Sequence, residues 1–109
     1  MAKAFKIKQN DLSRSLIWRP KAATESDFTG ATLVFNMRAA GGGATKISRA
    51  SATIGSDTKG TFFQYDWVSG DTDTAGDFEG EFEATLAGGN PETYPNADYI
   101  DIEIMDDIA

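Results

Sequence analysis

Apolar and polar residues alternate along most of the chain, which is the period of a β-strand with one face in a core. Phe5 and Ile7 alternate with Lys6 and Lys8, and Ala31, Leu33, Phe35 and Met37 alternate with Thr32, Val34, Asn36 and Arg38. Ala52 and Ile54 bracket Thr53, while Phe63, Tyr65 and Trp67 alternate with Gln64 and Asp66. Phe78, Phe82, Ala84 and Leu86 alternate with Glu79, Glu81, Glu83 and Thr85, with Gly80 in an apolar slot. Ile100, Ile102 and Ile104 alternate with Asp101, Glu103 and Met105, and Leu16-Ile17-Trp18 is a shorter, less regular run.

Turn signals separate these runs at Arg19–Asp27, Gly41–Gly43, Gly55–Gly60, Ser69–Gly76 and Gly88–Asn96. No segment carries a three-to-four apolar spacing long enough for a core helix. Seven such runs predict an all-β fold, with an immunoglobulin-like antiparallel β-sandwich of about seven strands as first choice. A small β-barrel is the alternative. At 109 residues the chain is expected to form a single domain, 1–109, large enough to fold without staples.

Charge narrows the function classes. The net charge of −7 argues against a phosphate backbone as ligand, so no nucleic-acid partner is expected. Residues 1–21 hold six of the ten basic residues, whereas Asp71–Glu83 holds six acids and no base. Histidine and cysteine are absent, which removes the usual general base near neutral pH, the commonest zinc ligand, and all disulfide chemistry. No apolar run reaches signal-peptide or membrane-span length, so synthesis in a cytoplasm and no membrane partner are expected.

Local motifs add little chemistry. Asp71-Thr72-Asp73-Thr74-Ala75-Gly76-Asp77 fails the EF-hand template, because Ala75 and Phe82 stand where oxygen ligands are required. It reads as a strand-connecting turn whose Asp and Thr side chains bond nearby backbone groups, and no metal or cofactor is expected. Ser56-Asp57-Thr58-Lys59 matches the Ser-x-x-Lys of penicillin-recognising enzymes, but it lies between two strands and ends in Gly60, which makes it a turn. Gly41–Gly43 lacks the Gly-Lys-Ser/Thr of a phosphate loop and reads as a flexible hairpin tip. Glu79, Glu81 and Glu83 share one outward face rather than a cleft that would separate two carboxyl pKa values, so no enzyme is expected.

The aromatics and the terminal strands supply candidate contacts. Tyr65 and Trp67 share the period of Phe63 and are expected in the core, whereas Trp18 and Tyr94 are less constrained candidates for exposed contacts. Trp18, Tyr65, Trp67, Tyr94 and Tyr99 could also stack on sugar rings, which makes a carbohydrate-binding module, contacting glycans through exposed aromatics such as Trp18 and Tyr94, the alternative function. The terminal strands carry opposite charge, Lys6 and Lys8 on the first and Asp101 and Glu103 on the last. Side by side within one subunit they would add a modest exposed pair term. Meeting between subunits, the arrangement favoured here, they would build a head-to-tail ring.

The landmarks in order resemble the N-terminal domain of siphophage upper baseplate proteins and related small phage tail proteins. They run from Phe5-Lys6-Ile7-Lys8-Gln9-Asn10-Asp11 to Phe28-Thr29-Gly30-Ala31 with the strand that follows. They continue through Gly60-Thr61-Phe62-Phe63-Gln64-Tyr65-Asp66-Trp67, Asp71-Thr72 and Ala75-Gly76-Asp77-Phe78-Glu79-Gly80-Glu81-Phe82-Glu83. Thr93-Tyr94-Pro95-Asn96 and Tyr99-Ile100-Asp101-Ile102-Glu103-Ile104 close the series. The chain departs from that pattern at Leu12-Ser13-Arg14 and Lys21–Asp27, and it stops at Ala109 where larger relatives continue into a stalk. The resemblance implies a non-enzymatic virion module of a tail, baseplate or neck that docks on other phage structural proteins. Several copies would be found in the virion, and in the host cytoplasm during assembly. Capsid decoration is the same role with a different partner.

Overall fold

The alternating runs become strands because each can bury one face only by joining a sheet. The structure, a computed structural model, describes residues 4–20, 28–95 and 97–108. Most of the turn expected at Arg19–Asp27, together with Lys3 and the Asn96 of the Tyr-Pro-Asn landmark, lies outside the described residues. Strand β1 spans Phe5–Lys8, β2 Leu16–Trp18, β3 Thr32–Ala39 and β4 Thr45–Asp57. Strand β5 spans Gly60–Tyr65, β6 Gly76–Thr85, β7 Pro91–Tyr94 and β8 Ile100–Met105. The fold is all-β, with no helix among the described residues.

The strands join in the order β1-β8-β6-β3-β4-β5-β2, and β7 also pairs with β6. One edge of β6 runs along β3. The other is shared by β8, from Gly76 to Gly80, and β7, from Phe82 to Thr85. The sheet bends until it is nearly closed and barrel-like, an arrangement that the sandwich-or-barrel expectation covers. Strand β4 carries the bend, pairing β3 up to Ala52 and β5 from Thr53 onward. The segment between β1 and β2 spans the remaining gap. Asn10 N–H donates to the Thr72 carbonyl at 2.9 Å, Thr72 Oγ1 donates to the Asp11 carbonyl at 3.1 Å, and the Trp67 indole N–H donates to the Arg14 carbonyl at 3.0 Å.

The interior is filled by rings. Phe35, Phe63, Phe82 and Tyr94 are fully excluded from solvent, with Tyr65 and Trp67 nearly so. Phe35 stacks on Tyr65 with centroids 4.7 Å apart, and Phe63 meets Phe82 at 5.6 Å and Tyr94 at 5.4 Å. The expected core positions of Tyr65 and Trp67 are therefore correct, although β5 ends at Tyr65 and Trp67 enters the core from the following loop.

Three sequence expectations need correction. First, the charged terminal strands do not meet between subunits: β1 pairs β8 in parallel within the chain, Lys6 opposite Glu103 and Lys8 opposite Met105. Both edges of β8 are thereby occupied, by β1 and by β6, so no second chain can add to it.

Second, β4 is far longer than Ala52–Ile54. Its pairing with β3 slips between Phe35–Ala50 and Met37–Ile47, because Arg49 adopts a positive φ of 52° in a bulge. The bulge switches which parity faces inward, so Ile47 is buried on one side of it while Ala50, Ala52 and Ile54 pack against the core on the other. The Asn36 side chain accepts the Arg49 N–H at 2.7 Å and satisfies the donor the bulge frees. Gly55–Asp57 continues the strand, leaving Thr58-Lys59 as the hairpin loop.

Third, the expected Gly88–Asn96 turn contains an eighth strand, β7, which brings Tyr94 opposite Phe82.

Candidate interaction surface

The outer face of the sheet is where charge accumulates, because the inward positions of β6, β3 and β8 are taken by apolar side chains. Asp77, Glu79, Glu81 and Glu83 alternate outward along β6, beside Asp101 and Glu103 of β8. The register sets Glu103 opposite Asp77 and Asp101 opposite Glu79, like charge against like. Such placements destabilise a sheet unless cations intervene. Three do. Lys6 Nζ lies 3.8 Å from Glu103, Arg38 Nε 3.0 Å from Glu79, and an Arg49 guanidinium nitrogen 2.5 Å from Glu83. Asp77, Glu81 and Asp101 have no cationic partner among the described residues.

A concavity of about 440 Å³ opens on this face, lined by Asn36, Arg38, Ser48, Glu79, Glu81 and Tyr99 among others. Arg38 pairs with Glu79 and holds its guanidinium carbon 4.8 Å from the centre of the Tyr99 ring, which is itself exposed. Gly80 forms part of the wall, and its inner side meets the core. A Cβ built there would lie 2.8 Å from Ile102 Cδ1 and 3.0 Å from two atoms of the Phe35 ring.

The candidate contacts read from sequence do not form one surface. Lys6, Lys8, Asp101 and Glu103 lie together on the outside of β1 and β8. Tyr94 is no exposed contact: it is completely buried, with its hydroxyl 2.5 Å from Glu92. Trp18 is half-buried, its ring 5.8 Å from both Phe63 and Tyr94. Tyr94 was misplaced because local sequence does not show that β7 pairs with β6 and turns its ring inward. The Arg38–Glu81–Tyr99 groove was missed for the same reason, although the Glu79-Glu81-Glu83 alternation and the Asn36-Arg38 alternation were its separate signals.

Several acidic groups away from this face are tied down locally. Asp71 accepts from the Tyr65 hydroxyl at 2.6 Å and the Val68 N–H at 2.9 Å. Burial raises the Tyr65 pKa above the ordinary phenol value, and the Asp71 bond adds to that rise, so the hydroxyl remains a donor. Lys46 lies 2.5 Å from Asp73 and lowers its pKa through that bond, with Thr74 assisting. At the end of β4 Arg19 grips both oxygens of Asp57, at 2.9 and 2.6 Å, while the Lys59 N–H in the hairpin loop donates to the same carboxylate. These contacts hold the Asp57 pKa at about 2, the Arg19 bond first among them.

Comparison with protein-family models, with curated proteins and with solved structures finds no significant match for this chain.

Proposed function

We propose that the chain is a non-enzymatic structural module of a tailed-phage virion that works by docking its surface on other virion proteins. The observation that carries this reading is the filled interior. Phe35, Phe63, Phe82 and Tyr94 occupy the space that a ligand-carrying barrel would leave open, so contact chemistry is confined to the outside. The resemblance to small baseplate and tail proteins supplies the setting. The acidic outer sheet supports a protein partner over a phosphate backbone. A glycan-binding role is less well supported, since Tyr94 is buried and Trp18 is half-covered by core rings.

Proteomic analysis of density-gradient-purified particles from the encoding phage tests the proposal. The expected result is this protein at a fixed stoichiometry, cross-linked to a tail, baseplate or neck component. Its absence from purified, infectious particles overturns the virion role.

A further inference from the structure

We infer that the groove around Glu81 and Tyr99 receives a basic segment of a partner protein, with an arginine or lysine side chain seated between the Glu81 carboxylate and the Tyr99 ring. The inference rests on the docking role proposed above and names the chemistry of the docked surface.

Charge complementarity carries it. On the outer face of β6 and β8, like charges stand opposite one another at Glu79–Asp101 and Asp77–Glu103, a register that costs the isolated sheet stability. The chain supplies cations for Glu79, Glu83 and Glu103 but none, among the described residues, for Glu81, Asp101 or Asp77. Glu81 is half-buried and opposite the amide-bearing Asn36, in the middle of a row whose two neighbouring glutamates are each held by an arginine. A cation from another chain completes that row.

The groove also shows how such a group would be held. Arg38 already sits with its guanidinium against a carboxylate at 3.0 Å and 4.8 Å from the Tyr99 ring centre. Tyr99 remains exposed, as a ring that receives a second cation must be. Guanidinium is the better fit of the two cations, because its planar fork matches a carboxylate and stacks on an aromatic face. An anionic partner is disfavoured, since Arg38 is engaged by Glu79 and carboxylates stand along both β6 and β8. A neutral sugar could use the Tyr99 ring but would leave Glu81 without a counter-charge.

The test is titration of the intact protein with fluorescent hexa-arginine at about 0.15 M salt, where exposed charges beyond about 8 Å are largely screened. Amide chemical shifts are followed alongside. Shifts should centre on Asn36, Glu81 and Tyr99. Glu81→Gln and Tyr99→Ala should each weaken binding, the former about tenfold or more, as expected for loss of a charge-assisted hydrogen bond. Asp106→Asn with Asp107→Asn, which removes two charges beyond β8, should leave affinity unchanged. Equal weakening by the Asp106/Asp107 pair would mean that net charge alone attracts the peptide, and the inference falls. It falls equally if the peptide does not bind, or if neutral oligosaccharides shift the same amides and hexa-arginine does not. The protein's presence in particles without peptide binding would retain the docking role and discard this groove. Groove binding by a protein absent from particles would do the reverse.

Discussion

Trp67 offers the sharpest check on how the barrel is closed. Its ring lies in the loop after β5 rather than in a strand, yet it is only 4% exposed. It contacts Tyr65 at 5.3 Å, Phe5 at 5.9 Å and Phe35 at 6.0 Å between centroids, and its N–H reaches the Arg14 carbonyl at 3.0 Å. It therefore joins β1, the core and the segment that leads into β2. A ring of this size withdraws about 150–250 Å² from water. At about 25 cal/mol per Å² that is roughly 4–6 kcal/mol. Residual burial in the unfolded chain reduces it toward the roughly 3–5 kcal/mol typical of large aromatic truncations. Trp67→Ala should therefore remove a large share of the stability of a domain expected to hold about 5–15 kcal/mol in total. Trp67→Phe keeps a ring but leaves the Arg14 carbonyl without its donor, and should cost about 1–3 kcal/mol. Urea denaturation followed by far-ultraviolet circular dichroism measures both, as a modest fall in midpoint for the Phe variant and a much larger one for the Ala variant. A Trp67→Ala protein that melts like the parent would refute the closure described here and place the ring on the surface.

Two further outcomes follow from packing and titration. Gly80→Ala forces a methyl against Ile102, whose terminal carbon can move, and against the Phe35 ring, which is itself packed on Tyr65 and Phe82. A loss of about 1–3 kcal/mol is expected from this overpacking, while Gly88→Ala, in open space at an ordinary φ, should be neutral or slightly stabilising in the same thermal melts. The pKa values of Asp57, Asp66 and Asp73 are all lowered, first by Arg19, Ser15 and Lys46 respectively, so the folded state binds fewer protons than the unfolded chain and stability rises with pH. That contribution is present above about pH 4 and lost as pH falls toward 2, so the melting temperature should drop across this window, and less steeply in Asp57→Asn. An equally steep drop in the variant would remove Asp57 from the account.

Much of the architecture was legible in the sequence because strand formation and burial follow a local two-residue period. The all-β class, the inward faces of β3, β6 and β8, the core positions of Tyr65 and Trp67 and the outward glutamate row come from that period alone. Strand pairing is not local, and there the sequence was insufficient. Opposite charge on β1 and β8 suggested that they attract, but only the tertiary structure shows them side by side in one chain, ninety-odd residues apart in sequence. The bulge at Arg49 switches the parity of β4, so Ile47 and Ala50 both face inward although no single alternation contains them. Tyr94 lies in a stretch rich in turn-forming residues, and pairing with β6 is what turns its ring into the core. The groove at Glu81 and Tyr99 likewise draws on β3, β4, β6 and the entry to β8. Local alternation decided which side chains face out, and the register between distant strands decided which of them meet.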